Sequence, residues 1–246
     1  MAIEYKMEMR YALVGKTRSG KSRFAMVLAG LFAQHLYYPW QIWWVDTKGD
    51  LDDLMTLRQF GFRNGASSRD MNTVGAIPGA LYFHIEPTTY DDQQSVIDQA
   101  QKIFAAAMTR NKLERTPFNN VLVIVDEYVQ VVPSARNPGP ALKDIFQRGG
   151  GLKTGIVGLT QEPVYVPRQL ISQATHVFLF NLTLDYDIDR IKKMFPWYEP
   201  PLYRGDEWGF WHIYVDGSDG PQYFHNQYEW YEALDIEIPV EVMASN

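Results

Sequence analysis

The sequence contains no cysteine and only five histidines among its 246 residues. Without cysteine the chain cannot form disulfides, use a thiol in catalysis, or hold zinc or iron through cysteine ligands. The histidines show none of the spacings typical of metal ligands, so we interpret them as structural. They are His35, His84, His176, His212 and His225. The sequence therefore excludes thiol enzymes and cysteine-ligated metal proteins.

Long hydrophobic runs are also lacking. The longest apolar stretch, residues 24–33, is about half as long as a membrane-spanning helix. The first ten residues carry charges where a signal peptide requires an apolar run. We therefore expect an intracellular protein without a transmembrane segment.

The composition is that of a folded chain, with 46% hydrophobic and 14% aromatic residues, and the length favours one large domain. The net charge of −6 is unevenly distributed. Residues 1–183 hold 19 Lys and Arg against 16 Asp and Glu, whereas residues 184–246 hold 4 against 13. The near-neutral first part could present a local basic surface to phosphate. Net charge therefore neither supports nor excludes DNA binding.

Short apolar or β-branched runs alternate with longer segments of helical composition. This alternation predicts right-handed βαβ units and an α/β fold, with a mostly parallel sheet and helices on both faces. Asp91 or Asp92 is the expected N-cap of the second helix. The predicted strands are residues 11–14, 41–45, 81–85, 121–125, 156–159, 177–180 and 210–215, and the predicted helices are residues 21–36, 94–110 and 141–147.

A match to the pattern G-x-x-x-x-G-K-[ST] follows the first predicted strand and opens the first helix. Such a glycine-rich loop binds phosphate because its glycines let the backbone wrap the phosphates, and the amides and helix N-terminus supply positive potential. Lys21 would reach the β- and γ-phosphates of ATP, and Ser22 would ligate Mg²⁺. The alternative is a turn that binds nothing. The predicted ATP-binding residues are Gly15, Lys16, Thr17, Arg18, Ser19, Gly20, Lys21 and Ser22.

Two carboxylates directly follow the apolar strand at 121–125. Asp126 would help to hold Mg²⁺, and Glu127 is in position to polarise an attacking water for in-line phosphoryl transfer. An adjacent acid pair favours hydrolysis over transfer to a small acceptor. The alternative is a buried strand that ends in two solvated acids.

Thr160 and Gln161 follow the predicted strand at 156–159, at the strand end where α/β sheets bind ligands. Gln161 would hydrogen-bond the γ-phosphate or the attacking water and report hydrolysis to the rest of the domain. A polar strand end alone is a weak signal, but it adds to the two preceding motifs.

With these motifs the sequence resembles the FtsK–HerA group of P-loop motor ATPases. Within that group it is similar to the genome-packaging ATPases of tailless, membrane-containing double-stranded DNA viruses. The resemblance covers residues 10–183. Two motifs separate the group from generic P-loop kinases: Trp44-Val45-Asp46-Thr47-Lys48-Gly49-Asp50, and Thr160-Gln161-Glu162-Pro163.

The resemblance implies a RecA-like core that assembles into a ring, usually a hexamer, with ATP at subunit interfaces and double-stranded DNA in the central channel. The glycine-rich loop and Asp126 predict Mg²⁺ as the cofactor. The chain is compact and lacks the large accessory segments of chromosome and conjugation pumps, so we expect viral genome packaging. The expected locations are the host cytoplasm and the virion vertex, and the expected partners include capsid-vertex or membrane-associated virion proteins.

In such rings a neighbouring subunit supplies an arginine that stabilises the charge developing on the transferred phosphoryl group. Arg148 resembles the family's candidate for this arginine. Three glycines follow Arg148, so the spacing departs from the family pattern and Lys153 becomes a rival. The alternative is an exposed arginine without such a role.

Two basic segments, residues 110–115 and 133–140, could contact DNA phosphates in a channel, although each is otherwise a solvated face or a linker. Residues 184–246 hold fourteen aromatic residues. We expect them to form an acidic extension packed on a P-loop core at 1–183. Alternatively, some of these aromatics form a docking surface for neighbouring subunits or a capsid vertex.

Three other functions stay open at this point. A small-molecule or nucleoside kinase would be monomeric or dimeric and unresponsive to DNA. A non-catalytic virion scaffold would bind ATP without turnover. A cellular helicase or conjugation pump would belong to the same group of motors.

Overall fold

A computed structural model describes residues 6, 9–35, 40–49, 51–59, 61–64, 79–85, 92–114, 120–201, 208–215 and 220–234. The strands are β1 (Arg10–Val14), β2 (Trp40–Asp46), β3 (Arg63–Asn64), β4 (Gly79–His84), β5 (Asn120–Asp126), β6 (Thr154–Thr160), β7 (His176–Leu179), β8 (Phe210–Tyr214) and β9 (Gln222–Phe224). The helices are α1 (Lys21–His35), α2 (Leu51–Gln59), α3 (Gln93–Glu114), α4 (Pro140–Arg148), α5 (Arg168–Ser172), α6 (Asp185–Lys192) and α7 (Gln227–Glu232). Short 3-10 turns lie at Tyr128–Val131 and Gly150–Leu152.

The strands of the described residues form one sheet in the order β3-β4-β2-β5-β6-β1-β7-β8-β9. Pairing is parallel from β3 to β7, whereas β8 and β9 add to the sheet in antiparallel fashion. The predicted α/β fold with a mostly parallel sheet is confirmed. β6 lies between β1 and β5 although it follows both in the sequence, so the carboxyl ends of these three strands meet at one edge.

The alternation of side chains along β5 shows why its sequence is apolar throughout. Val121, Val123 and Val125 pack in the cluster that contains residues of α3 and α4. Leu122 and Ile124 point to the opposite face and pack in the cluster that contains residues of α1. A strand covered on both faces has no solvent-facing position to be polar, as is usual in parallel sheets.

The C-terminal residues complete the α1 face of the sheet. The ring of Phe24 on α1 has its centre 4.5 Å from that of Phe178, 5.0 Å from that of Phe210 and 4.7 Å from that of Trp230. Trp230 belongs to α7, which begins where the Asn226 side chain accepts two backbone hydrogen bonds. The division of the chain at residue 183 stays a prediction. β7 and β8, which lie on either side of that residue, pair directly in the same sheet.

All of the predicted strands and helices are present, with ends that move by at most four residues. The N-cap of α3 is Asp92, whose carboxylate accepts from the Ser95 amide at 3.1 Å, and Asp91 lies outside the described residues. The sequence did not predict β3, β9, α2, α5, α6 or α7. In the described part of the chain, no helix has the length and hydropathy needed to cross a membrane.

Candidate nucleotide-binding site

The glycine-rich loop lies at the carboxyl end of β1, between the ends of β6 and β7. The Gly15 amide donates to the carbonyl of Thr160 at 3.1 Å, and the Lys16 amide donates to the carbonyl of Asn181 at 2.8 Å. A Cβ atom at Gly15 would lie 2.5 Å from the Cβ atom of Phe180, so the position requires glycine. The loop is therefore fixed to the last residue of β6 and to the chain that follows β7.

The backbone of this loop turns through two left-handed residues, with φ of 59° at Arg18 and 88° at Gly20. Loops of this kind collect backbone amides into a concave site for anions. The hydroxyl of Ser19 is buried and has no hydrogen-bond partner among the described residues. A phosphate oxygen would supply the partner that this hydroxyl lacks.

Lys21 opens α1, and only 7% of the residue is exposed. Its ammonium donates to the carbonyl of Lys16 at 2.7 Å. Burial lowers the pKa of Lys21 to about 8, while the nearby Glu127 carboxylate acts in the opposite direction. A buried ammonium next to a concave loop of backbone amides is well placed to attract phosphate.

The two predicted carboxylates lie at the end of β5, where Asp126 is 3% and Glu127 is 6% exposed. Burial raises the pKa of both carboxyl groups. Glu127 has a left-handed backbone with φ of 63°, which is uncommon for a residue other than glycine. Strained residues of this kind concentrate at functional sites.

Gln161 connects these groups because β6 lies between β1 and β5. The Thr17 hydroxyl of the glycine-rich loop donates to Oε1 of Gln161. The backbone amide of Gln161 donates to Oε1 of Glu127 at 3.5 Å. The structure thus brings the three sequence motifs together at one edge of the sheet.

The end of β2 adds a contact that the sequence did not predict. Asp46 is in register with Asp126 on the adjacent β5. The ammonium of Lys48 lies 3.3 Å from Oδ1 of Asp126 and 3.6 Å from Oε2 of Glu127. The available sequence signal was the motif that ends in Asp50, a residue outside the described part of the chain.

Trp208, from the C-terminal part of the chain, also reaches the glycine-rich loop. A Cβ atom at Gly20 would lie 3.1 Å from the Trp208 ring. The guanidinium carbon of Arg23 lies 5.9 Å from the centre of the same ring. Nothing in the sequence around Trp208 indicates this contact.

The oxygen donors at this edge suit Mg²⁺ together with a bound nucleotide. Ser22 follows Lys21 at the start of α1, and Asp126 ends β5, so a hydroxyl and a carboxylate are available, as Mg²⁺ prefers. The Lys48 ammonium beside Asp126 shows that this carboxylate attracts a cation. Among the described residues, no group of three or more His, Asp or Glu side chains could hold a metal ion.

Arg148 and Lys153 lie at the other edge of the sheet. Arg148 ends α4 and pairs with Asp144, one turn earlier in the helix. Lys153 precedes Thr154, the first residue of β6. The seven residues of β6 separate this edge from the glycine-rich loop by ~20 Å. Neither side chain can therefore reach the phosphate site of its own chain.

The two basic segments considered for DNA contact are only partly described. α3 ends at Glu114, and the side chains of residues 110–115 lie outside the described part. In the loop at 133–140, Ser134 and Asn137 form an isolated β-bridge, and Arg136 between them is exposed. DNA contact by either segment stays a prediction.

Comparison with known proteins gives a structural match but no match in sequence. No protein-family model and no curated protein matches the chain. The genome packaging NTPase B204 from Sulfolobus turreted icosahedral virus 2 in complex with AMPPCP is similar at a TM-score of 0.64 and 15% identity, covering 90% of this chain and 99% of that one. Its complex with sulfate gives a TM-score of 0.65 at 16% identity, covering 90% and 98%.

The DNA-packaging ATPase B204 from Sulfolobus Turreted Icosahedral Virus is similar at a TM-score of 0.61 and 16% identity, covering 89% of this chain and 98% of that one. The match extends over nearly the whole length of each of these structures. The predicted RecA-like P-loop fold is therefore confirmed, and the resemblance to genome-packaging ATPases holds at the level of the fold.

Proposed function

We propose that this chain hydrolyses ATP with Mg²⁺ and uses the energy to move double-stranded viral DNA into a preformed procapsid. One observation carries the proposal. Lys21, the Asp126–Glu127 pair and Gln161 come from separate parts of the sequence and lie together beside a glycine-rich loop. The fold shared with viral packaging NTPases supports DNA as the polymer that is moved.

In the proposed site, the glycine-rich loop binds the phosphates of ATP. Its amides and the N-terminus of α1 supply positive potential, and the Ser19 hydroxyl gains a hydrogen-bond partner. Lys21 attracts phosphate at neutral pH, because its pKa of about 8 keeps it mostly protonated. Mg²⁺, held through Ser22 and Asp126, would neutralise charge on the phosphate oxygens.

Glu127 is the proposed base for hydrolysis. The oxygen of a water forms a bond to the γ-phosphorus while the bond from that phosphorus to the bridging oxygen breaks, which releases ADP. The proton of the water passes to the Glu127 carboxylate, whose basicity is increased because burial raises its pKa. Gln161, which touches both Thr17 and Glu127, is proposed to orient the water and to sense the γ-phosphate.

The remaining positive charge is proposed to come from a neighbouring subunit. Arg148, or its rival Lys153, lies too far from the phosphate site of its own chain but is exposed at the opposite edge. In a ring of identical subunits, usually a hexamer in this group, that edge can face the neighbour's nucleotide. The ring also repeats weak phosphate contacts around the DNA, so a chain of low basicity suffices.

The proposal further includes the setting in which the motor acts. DNA would pass through the centre of the ring, and the ring would dock on capsid-vertex or membrane-associated virion proteins. The motor would then work in the host cytoplasm and at the virion vertex.

Steady-state ATP hydrolysis by the full chain, with and without linear double-stranded DNA and at several protein concentrations, tests the proposal. We expect turnover per subunit to rise with both DNA and protein concentration, because the active site is shared between subunits. Single-stranded DNA of the same length is the matched control. A rate that responds to neither variable would contradict the motor and favour a kinase, and ATP binding without turnover would indicate a scaffold.

A further inference from the structure

Lys48 makes a charged contact with both carboxylates of the candidate site. Its ammonium lies 3.3 Å from Asp126 Oδ1 and 3.6 Å from Glu127 Oε2. The Lys48 side chain is 34% exposed, whereas those of Asp126 and Glu127 are 4% and 7% exposed. We call this pair of contacts the Lys48 bridge. The bridge supplies a partly solvated cation to two buried anions.

The backbone that presents Lys48 is held in a defined shape. The Asp46 carboxylate accepts from the amides of Lys48 at 2.8 Å and Gly49 at 3.1 Å, and from the hydroxyl of Tyr82 at 2.5 Å. Gly49 has φ of 68°, and a Cβ atom there would lie 2.7 Å from the His84 ring. The turn after β2 is therefore closely packed, and it directs Lys48 across to β5.

The charges around the Lys48 bridge explain why Lys48 contacts the carboxylates at the end of β5. Asp46, Asp126 and Glu127 bring three carboxylates to this edge, and Lys21 is the other described lysine that acts on the same carboxylates. The pKa of Lys48 is raised, since the attraction of Asp126 and Glu127 outweighs the opposing effect of burial. The Lys48 ammonium, within 4 Å of both carboxylates, stabilises them as anions.

The same carboxylates have a second use in the proposed function, on which this inference rests. Asp126 would help to hold Mg²⁺, and Glu127 would take a proton from water. An ammonium within 4 Å of both groups repels a dication at Asp126 and neutralises the charge that makes Glu127 a base. The contacts with Lys48 therefore oppose both of these functions.

We propose that Lys48 is a positioning residue that holds Asp126 and Glu127 in an inactive pairing in the absence of nucleotide, and that it must release them when Mg²⁺ and ATP bind. The partly exposed side chain gives Lys48 a route into solvent, which the buried carboxylates lack. The Lys48 bridge thus raises the Mg²⁺ concentration that is needed to load the site. It also keeps Glu127 from acting as a base before the nucleotide is bound.

The test measures binding of the non-hydrolysable ATP analogue AMPPCP to the full chain by isothermal titration calorimetry, over a series of Mg²⁺ concentrations. Two neutral variants, Lys48→Met and Lys48→Gln, remove the competing cation. We expect each to reach half-maximal Mg²⁺-dependent affinity at a Mg²⁺ concentration about three- to tenfold lower than the wild type requires. Lys48→Arg keeps the charge and should require at least as much Mg²⁺ as the wild type.

Lys193→Met is the matched control, since Lys193 is exposed just after α6 and is not among the groups that shift the pKa of Asp126 or Glu127. It should show the wild-type Mg²⁺ dependence. If neutral variants that retain the wild-type circular dichroism spectrum need as much Mg²⁺ as the wild type, or more, the bridge has no inhibitory role, although the proposed ATPase function stands. If the wild type binds no AMPPCP at any Mg²⁺ concentration, both proposals are wrong.

Discussion

The two edges of the central sheet differ in whether their charged side chains are buried or exposed. At the carboxyl edge, Lys21, Asp126 and Glu127 are each less than 10% exposed, and a left-handed residue ends β5. At the amino edge, Arg148 is exposed and pairs with a neighbour on its own helix. Burial of charge costs free energy and shifts pKa values, whereas an exposed ion pair contributes little.

The difference fits the proposed function, in which the carboxyl edge binds the nucleotide and the amino edge assists a neighbouring subunit. In the proposed site the carboxyl edge holds a loop for phosphate, a base and oxygen ligands for a metal, and its arginines, Arg18 in the loop and Arg23 on α1, are not proposed to stabilise the transferred phosphoryl group. The amino edge holds Arg148 and Lys153, some 20 Å away along β6 by strand geometry (~3.3 Å per residue). Each chain therefore presents two incomplete halves of the proposed active site.

The largest expected effect comes from a substitution that removes the amino-edge half of the proposed active site. Arg148→Ala should lower DNA-stimulated turnover by about 10³- to 10⁵-fold, because an arginine supplied from a neighbour stabilises the transition-state charge. Mixing Arg148→Ala with Glu127→Gln subunits should restore activity, since some interfaces then combine an intact Glu127 with an intact Arg148. Turnover of the mixture is the measurement.

The matched control is a mixture of Lys21→Ala with Glu127→Gln, two lesions at the same edge, which cannot rebuild a complete site. Arg168→Ala removes another exposed arginine and should change little. If Lys153→Ala loses activity and Arg148→Ala does not, the role belongs to Lys153. If neither does, the amino edge takes no part in catalysis.

Glu127→Gln alone should lower turnover by about 10²- to 10⁴-fold, because an amide cannot accept the proton of the attacking water. Binding of ATP should be retained, since the glycine-rich loop is unchanged. Hydrolysis and nucleotide binding are measured on the same preparation, with the exposed Glu232→Gln as the matched control. Normal hydrolysis by Glu127→Gln would show that the base has been assigned to the wrong residue.

The amino edge offers a paired test of packing. A Cβ atom at Gly149 would lie 2.3 Å from the carbonyl oxygen of Ile145 and 2.4 Å from that of Thr154, whereas one at Gly151 would meet nothing within 4 Å. Gly149→Ala should therefore reduce the free energy of unfolding by about 1–3 kcal/mol. Gly151→Ala should change it by less than about 0.5 kcal/mol. Urea unfolding measures both, and equal effects would contradict the close packing at Gly149.

The smallest expected effect is a pH dependence at the carboxyl edge. The pKa of Lys21 is lowered by burial to about 8, so its ammonium loses a proton as the pH rises through this value. Phosphate binding favours the charged form, and affinity for ADP should fall by up to about tenfold per pH unit above pH 8. Titrations between pH 7 and 9.5 measure this slope. Lys21→Arg stays charged throughout and should give a flat profile. A flat profile for the wild type would show that deprotonation of Lys21 does not control the affinity for ADP.

Much of the carboxyl edge is predictable because its signals are local. The glycine-rich loop, β1 and β5 appear as contiguous motifs or apolar runs, and a polar residue after such a run must lie at a strand end. The roles of these motifs around one bound phosphate then predict the grouping of Lys21, Glu127 and Gln161. The structure places these residues in contact with one another or within electrostatic reach.

The Lys48 bridge could not be predicted in the same way. It joins residues 78 positions apart, and it depends on β2 lying next to β5, which no local pattern specifies. The antiparallel β9 has three residues and α7 has six, too few for periodicity to be visible. The contact of Trp208 with Gly20 depends likewise on the path of the chain after β7.

β6 connects the carboxyl edge of the sheet to the amino edge. All seven of its residues are buried, with Gln161 directly after one end and the closely packed Gly149 turn before the other. In the proposed ring, a displacement of Gln161 on loss of the γ-phosphate would pass along this stiff strand to the arginine that serves the next subunit. β6 would then transmit the displacement from one active site to the next. The order in which the subunits hydrolyse ATP would be set by this movement within each chain.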